Sequence, residues 1–334
     1  MKILVINTKF LGDLIISSPG IRSLRKKYPD AELVLLVRKG YEDSMRNNPY
    51  INRIIPFDFG LKKRNIFSRI AGEIGFINKI RKEKFDAVIS LHPGDRIAFL
   101  SFFSNAKIRI APRKQSFNYL FNVLVDVEED TISYLDYYNK LISAFTKNEV
   151  EGKTEFLITD QDKNWAGELL SSAGVNKNDI LVGIHPGASE PTKIWPAENF
   201  SGLIKRLLTA GNMKVLLIAG PGENEIVEKI TGSYAGKNLI VYNSDNINRT
   251  AALMAETDLF IANDTATRHL SVALKIPVVA LMPDDNRICW NFYDGTEKHY
   301  HIYGKRQYPS GETPYLGEIT IDQVFEKVRE VLQR

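Results

Sequence analysis

A single cysteine, Cys289, stands among 334 residues, so no disulfide can form within the chain. That usage fits a reducing compartment, and the expected location is the cytoplasm. No run approaches the roughly 18–20 apolar residues that a membrane span needs. The opening "MKILVINTKF" is too short an apolar run for a secretory signal, and acidic Asp13 comes soon after it. No Cys/His cluster has metal-ligand spacing, and neither a P-loop nor a Ser-His-Asp pattern occurs. Also missing is the Gly-x-Gly-x-x-Gly loop that often follows a first strand. "TKFLGDLIIS" at 8–17 has one glycine, Gly12, with an acid directly behind it. A nicotinamide-dependent oxidoreductase is therefore poorly supported, and nothing in the pattern points to nucleic acid.

What is present is an ordinary soluble balance, 44% hydrophobic and 25% charged, at a length that favours two domains. The net charge of +4 hides an asymmetry. Residues 1–150 hold 25 Lys and Arg against 16 Asp and Glu, a net +9, whereas 151–334 hold 19 against 24, a net −5. The basic half suggests an anionic ligand. Strand-like runs at Ile3–Ile6, Leu33–Val37, Ala87–Leu91 and Lys107–Ile110 alternate with helical patterns. Within 66–83, residues Ile66, Ile70, Ile74, Ile77 and Ile80 form one apolar stripe. Pro19 predicts a kink after Asp13, or a restart capped by Ser18. The scheme recurs in the second half, with a polar crossing "KNEVEGKTE" between. The spacing predicts residues 1–155 and 156–320 as two doubly wound, Rossmann-like α/β domains, then an amphipathic helix in 321–334, for which packing back towards the first domain is an expectation. Ligands of such sheets bind at the carboxyl ends of strands, which makes the cleft between the domains the expected site. "LHPGD" at 91–95 and "IHPGA" at 184–188 echo each other, as a duplication remnant or by chance.

Three loops of the second half carry chemistry. "IHPGASEPTKIWPAENF" delivers Lys193 as a point charge suited to phosphate, with Trp195 packed beneath and Pro196 in the first turn of a helix. "LIAGPGENEIV" places Glu223 at a helix start, where it either complements the dipole or accepts bonds from sugar hydroxyls. "FIANDTATRHLSVAL" predicts a helix N-capped by Asp264, with the amides of Thr265, Ala266 and Thr267 facing a diphosphate and His269 one turn on. Asp284-Asp285 is a weak cation candidate that turn chemistry explains better.

The ordered set "ILVINTKFLGDLIISSPGIRSLRKKYPDAEL", "FDAVISLH", "HPGASEPTKIWPAENF", "AGPGENE" and "NDTATRHLSVALKIPVVAL" resembles the family 9 glycosyltransferases, the ADP-heptose:lipopolysaccharide heptosyltransferases, over nearly the whole chain. The resemblance implies a GT-B fold and an inverting sugar transfer without a metal or bound cofactor. It maps the catalytic base to Asp13 and the phosphate-facing lysine to Lys193. Donor contacts map to Gly12, Ser189, Lys193, Glu223, Asp264, Thr265, Ala266 and His269. The family's usual glycine is replaced by Ala266, and Thr267 replaces a more familiar residue. The implied partners are a nucleotide sugar and the anionic lipopolysaccharide core, met by Lys62, Lys63, Arg64, Arg96 and Arg113, with Arg69, Arg109 and Lys114 nearby in sequence. Peripheral contact with the inner membrane is implied by the same cations. Two alternatives stand beside this: another nucleotide sugar used for a different surface glycan, or a binding protein without catalysis. The aromatic and basic segment 284–312 reads equally as a cover over a ligand or as a packed connection.

Overall fold

The computed structural model describes residues 1–59, 66–128, 131–232, 234, 236–283, 293, 298–304 and 316–333. Lys62, Lys63, Arg64, the side chain of Arg69, and Asp284-Asp285 lie outside the described residues, as does most of the 284–312 segment. The chain divides into two units, Met1–Glu155 and a second beginning at Phe156.

In the first unit, β1 (Lys2–Asn7), β2 (Glu32–Arg38), β3 (Arg53–Phe57), β4 (Ala87–Ser90), β5 (Ile108–Pro112) and β6 (Val123–Val125) form one parallel sheet in the order β3-β2-β1-β4-β5-β6. In the second, β7 (Ile180–His185), β8 (Met213–Ala219), β9 (Leu239–Asn243), β10 (Leu259–Asn263), β11 (Val278–Pro283) and β12 (His299–Gly304) run in the order β12-β11-β10-β7-β8-β9, again parallel. Numbered within its own unit, each sheet reads 3-2-1-4-5-6, the doubly wound order with a switch between its first and fourth strands. Helices on both faces explain why the central strands are apolar throughout: Ile3, Leu4, Val5 and Ile6 are all buried.

The first unit carries α1 (Leu11–Ile16), α2 (Ser18–Lys27), α3 (Ile66–Lys82), α4 (Asp95–Phe103) and α5 (Tyr134–Thr146). Pro19 lacks an N–H and would crowd the carbonyl four residues back, so α1 stops after six residues and α2 restarts. The capping position is Ser17, not Ser18, and the Ser18 hydroxyl instead donates to the Ile15 carbonyl at 2.7 Å. The isoleucine stripe of α3 is only partly a core face. Ile80 is buried and Phe76 and Ile77 pack beside it, but Ile70 and Ile74 are 50% and 54% exposed.

The second unit carries α6 (Asp160–Ser172), α7 (Ala197–Thr209), α8 (Asn224–Thr231), α9 (Ile247–Ala255), α10 (Ala266–Ala273) and α11 (Ile321–Leu332). Pro196 caps α7 rather than lying in its first turn. The apolar face of α11 fills the second unit's core, where Val324, Phe325, Val328 and Val331 join Phe200, Leu203 and Leu207 of α7. Trp195 is packed at the centre of this core, its ring 4.9 Å from Phe200 and its indole N–H donating to the Ile319 carbonyl at 2.8 Å. Replacing Trp195 by Ala removes a fully buried ring and that bond together. We expect a loss of about 3–5 kcal/mol in denaturant unfolding of the second unit, and an unchanged midpoint would refute this role.

Candidate functional site

Each unit gathers polar side chains where its first and fourth strands end, at the switch of strand order. In the first unit, Thr8 follows β1 and His92 follows β4. The Thr8 N–H donates to His92 Nε2 at 3.1 Å, and Thr8 Oγ1 lies 3.0 Å from the same nitrogen. With Nε2 accepting, Nδ1 carries the hydrogen and donates to the Pro93 carbonyl at 2.9 Å. The loop pinned in this way leads into α1, of which Asp13 is the third residue. Asp13 Oδ2 accepts the Phe10 N–H at 3.1 Å, the bond by which an acid at this position caps its own helix. Oδ1 has a separate partner: the Tyr138 hydroxyl of α5 donates to it at 2.5 Å. Asn7 Nδ2 donates to the Asp13 backbone carbonyl at 3.1 Å. Asp13 keeps 4% of its surface exposed and Tyr138 none. Burial pushes the Asp13 carboxyl above the usual aspartate value, although Lys9, the Tyr138 hydroxyl and the Phe10 amide pull it down.

In the second unit the organising residue is Asn263, wholly buried at the end of β10. Its Nδ2 donates to the carbonyls of Pro186 at 2.8 Å and Gly187 at 3.3 Å, and its Oδ1 accepts the Trp195 N–H at 3.3 Å. One amide thus ties together the two ends of the connection between β7 and α7. Asp264, next in the chain, accepts at Oδ1 from Arg268 Nη2 at 2.9 Å. Lys193 Nζ lies 3.5 Å from Asp264 Oδ2 and 3.5 Å from Glu190 Oε1. Arg268 is wholly buried, and its Nη2 is also 3.3 Å from His269 Nε2. Burial would raise the Asp264 carboxyl, but Arg268, Lys193 and His269 outweigh it and hold it below its usual value. Glu223 folds back across the neighbouring loop. Its Oε2 accepts the Gly220 N–H at 2.6 Å and lies 3.1 Å from His185 Nε2, and these partners hold it below the usual glutamate value against burial. A Cβ at Gly187 would collide with this carboxylate, so a larger residue there would displace Glu223 from His185 and Gly220. Beside it is an open depression of about 460 Å³ lined by Gly187, Ala188, Ile194, Gly222, Glu223 and Ile226.

Of the residues expected from sequence, Lys193, Asp264 and His269 join one buried network, while Glu223 meets His185 and Gly220. The cap of α10 is Thr265 rather than Asp264, whose carboxylate is drawn to Arg268 and Lys193. The leading helical amides therefore belong to Ala266 and Thr267, since the Arg268 amide bonds the Thr265 carbonyl at 3.2 Å. Ala266 is not among the residues with positive φ, so its methyl brings no backbone strain. Ser189 is exposed, outside this network, and Gly12 belongs to the first unit as Asp13's helical neighbour. Arg96 pairs with Glu73 at 2.6 Å, Arg113 with Asp126 at 2.5 Å and Lys114 with Glu128 at 3.6 Å. Arg109 is committed to the carbonyls of Leu120 and Ala106. The repeated His-Pro-Gly follows the fourth strand of one sheet and the first strand of the other, non-equivalent positions that argue against a duplication remnant. Sequence reasoning missed Tyr138, Asn263 and Arg268. It noticed His92 and His185 only through that echo. Among the described residues, no group of three or more His, Cys, Asp and Glu could hold a metal ion.

A family model described as glycosyltransferase family 9 (heptosyltransferase) matches residues 74–310. Lipopolysaccharide heptosyltransferase 3 of Escherichia coli K12 is 26% identical over 84% of this chain and 82% of its own. Among solved structures, a family 9 glycosyl transferase from Veillonella parvula superposes with a TM-score of 0.85 at 24% identity, covering 99% of this chain and 97% of its own. The E. coli ADP-heptose lps heptosyltransferase II superposes with a TM-score of 0.81 at 19% identity, covering 100% and 99%. The fold is thus of the GT-B α/β type.

The network continues into a histidine cluster whose titration is readable. Tyr293 lies 5.8 Å from the His269 ring and 6.0 Å from the His299 ring. Burial and the Arg268 charge lower both histidines, His269 well below its usual value and His299 to about 4. An unfolded histidine takes its proton near pH 6.5, so between about 6.5 and 4 the unfolded chain binds protons that the folded one refuses. Stability is therefore complete above that window and falls as pH drops through it. His299→Phe should lose less melting temperature than the wild type between pH 7 and 4, and an identical slope in thermal melts would contradict the assignment.

Proposed function

The chain belongs to glycosyltransferase family 9, and on that premise we propose that it moves heptose from ADP-heptose to the inner core of lipopolysaccharide, inverting the anomeric carbon. The observation that carries this reading is Asp13, a buried carboxylate in the first turn of the helix that follows the first strand, aimed by two donors and raised in pKa by burial. In this reading Asp13 takes the proton of the acceptor hydroxyl while that oxygen bonds the anomeric carbon. The bond from that carbon to the diphosphate breaks in the same displacement, ADP leaves with the electron pair, and the proton stays on Asp13. Residues 1–155 receive the acceptor and 156–320 the donor. Lys193 and the amides of Ala266 and Thr267 meet the growing charge on the diphosphate, a role that needs no metal. Glu223 accepts from ribose hydroxyls at the edge of the 460 Å³ depression, which takes the nucleoside. The names of the relatives support heptose as the sugar.

The acceptor proposed is anionic, and the net +9 of residues 1–150 suits it. Arg96 and Arg113 already pair with Glu73 and Asp126, so an acceptor phosphate would exchange with those carboxylates. The same charge suits a cytoplasmic enzyme working at the inner face of the inner membrane; among the described residues no helix is long and apolar enough to cross one. Asp13→Asn should lower transfer to a defined inner-core fragment by about 10²–10⁴-fold while leaving ADP affinity by calorimetry close to wild type. Lys193→Ala should weaken ADP binding instead. Wild-type turnover in Asp13→Asn would remove the mechanism.

A further inference from the structure

The two oxygens of Asp13 have different duties. Oδ2 is spent on the Phe10 N–H, a bond that any acid capping this helix would make. Oδ1 receives the Tyr138 hydroxyl from α5, a residue 125 positions away in sequence. That hydroxyl belongs to a wholly buried side chain packed 5.9 Å from the Tyr134 ring and 5.7 Å from the Tyr137 ring, so it is held in one place before any substrate arrives. We propose that Tyr138 is the positioning residue of Asp13: its hydroxyl fixes the direction in which the carboxylate faces and steadies the charged form that can accept a proton. The inference rests on Asp13 being the base.

Three features support this division. Helix capping requires only one oxygen, so the second bond is not explained by the fold of α1. A phenol is a better fixed donor here than a cation, because it steadies a carboxylate without pairing with it as an ion and so lowers its proton affinity less. Burial and the Asp13 charge also push the Tyr138 phenol well above its usual value, so it remains a donor across the working range. The other groups facing Asp13 are Lys9 on the preceding loop, whose ammonium sits 4.7 Å from the Tyr134 ring centre, and His92, which acts one step away through Thr8.

Tyr138→Phe keeps the ring and removes only the donor. Its pH profile of kcat/KM for transfer from ADP-heptose to a defined inner-core fragment should show the acid limb moved up by about one pH unit, as expected for losing a hydrogen bond to a charged group. Substrate groups titrate alike in both proteins and cannot produce the difference. Because Tyr138→Phe could fail to fold, 3,5-difluorotyrosine placed at 138 serves as a near-isosteric second variant. Its more acidic phenol is the stronger donor and should move the limb down. Limbs that do not move, with at most a uniform fall in rate, overturn the proposal. Asp13→Asn in the same assay separates the two readings: an inactive Asp13→Asn with unmoved limbs rejects Tyr138 alone, whereas an active one rejects the base itself.

Discussion

A carboxylate taken out of water is tolerable only where donors or cations meet it, and both units are organised around that requirement. Asp13, Asp264 and Glu223 all lie just beyond the carboxyl ends of strands, and each is satisfied differently. Asp13 meets an amide and a phenol. Asp264 meets a buried guanidinium and an ammonium. Glu223 meets an amide and an imidazole. Lys9, the phenol and the amide together do not overcome burial, so Asp13 is raised, whereas Arg268 and Lys193 beside Asp264 do overcome it. Three acids with similar surroundings therefore divide into one suited to take a proton and two suited to keep their charge.

The sheet order determines where these groups can stand. At the switch between the first and fourth strands the connections leave in opposite directions, opening a crevice that side chains must bridge. Each unit bridges it with a polar side chain at or just past the end of its fourth strand. In the first, His92 holds the Thr8 amide ahead of Asp13. In the second, Asn263 holds the Pro186 and Gly187 carbonyls, against which Glu223 rests. Bridges of this kind make the loops beside a reacting centre rigid, and a misplacement of about 1 Å there can cost roughly two orders of magnitude in rate.

The strands were legible because helices cover both faces and make their sequences apolar without a break. Trp195 was legible as packing, Lys193 as a loop residue after a strand, and Asp13, Glu223 and Asp264 as acids at helix starts. Direction was harder to read. A stripe such as Ile66–Ile70–Ile74–Ile77–Ile80 shows that a helix has an apolar side, but not how much of its length overlies a sheet: Phe76, Ile77 and Ile80 pack, whereas Ile70 and Ile74 are exposed. Cations misled for a related reason. Arg109 resembles a surface charge, yet its guanidinium goes to two carbonyls. Arg268 is a fully buried arginine, a rarity that no local pattern announces. Tyr138 left no local signal because its partner is fixed only when α5 folds beside α1.

The alanine at 266 can be weighed on these terms. The family signature has glycine there, and a glycine matters most where φ must be positive. Ala266 instead opens a regular helix, so its amide keeps its direction and only a methyl is added. For the diphosphate site proposed at this helix end the sterner demand is charge, because Asp264 stands there and would repel phosphate. Arg268 takes one of its oxygens and Lys193 faces the other, so Asp264 is met by two cations, one of which, Lys193, is shared with Glu190, while His269 is held well below its usual value. Lys193 reaches its two carboxylates only at 3.5 Å each, beyond the range of a short charge-assisted bond. An ammonium held that loosely can turn to phosphate oxygens without abandoning a strong partner, and Arg268 remains to neutralise the acid it leaves behind.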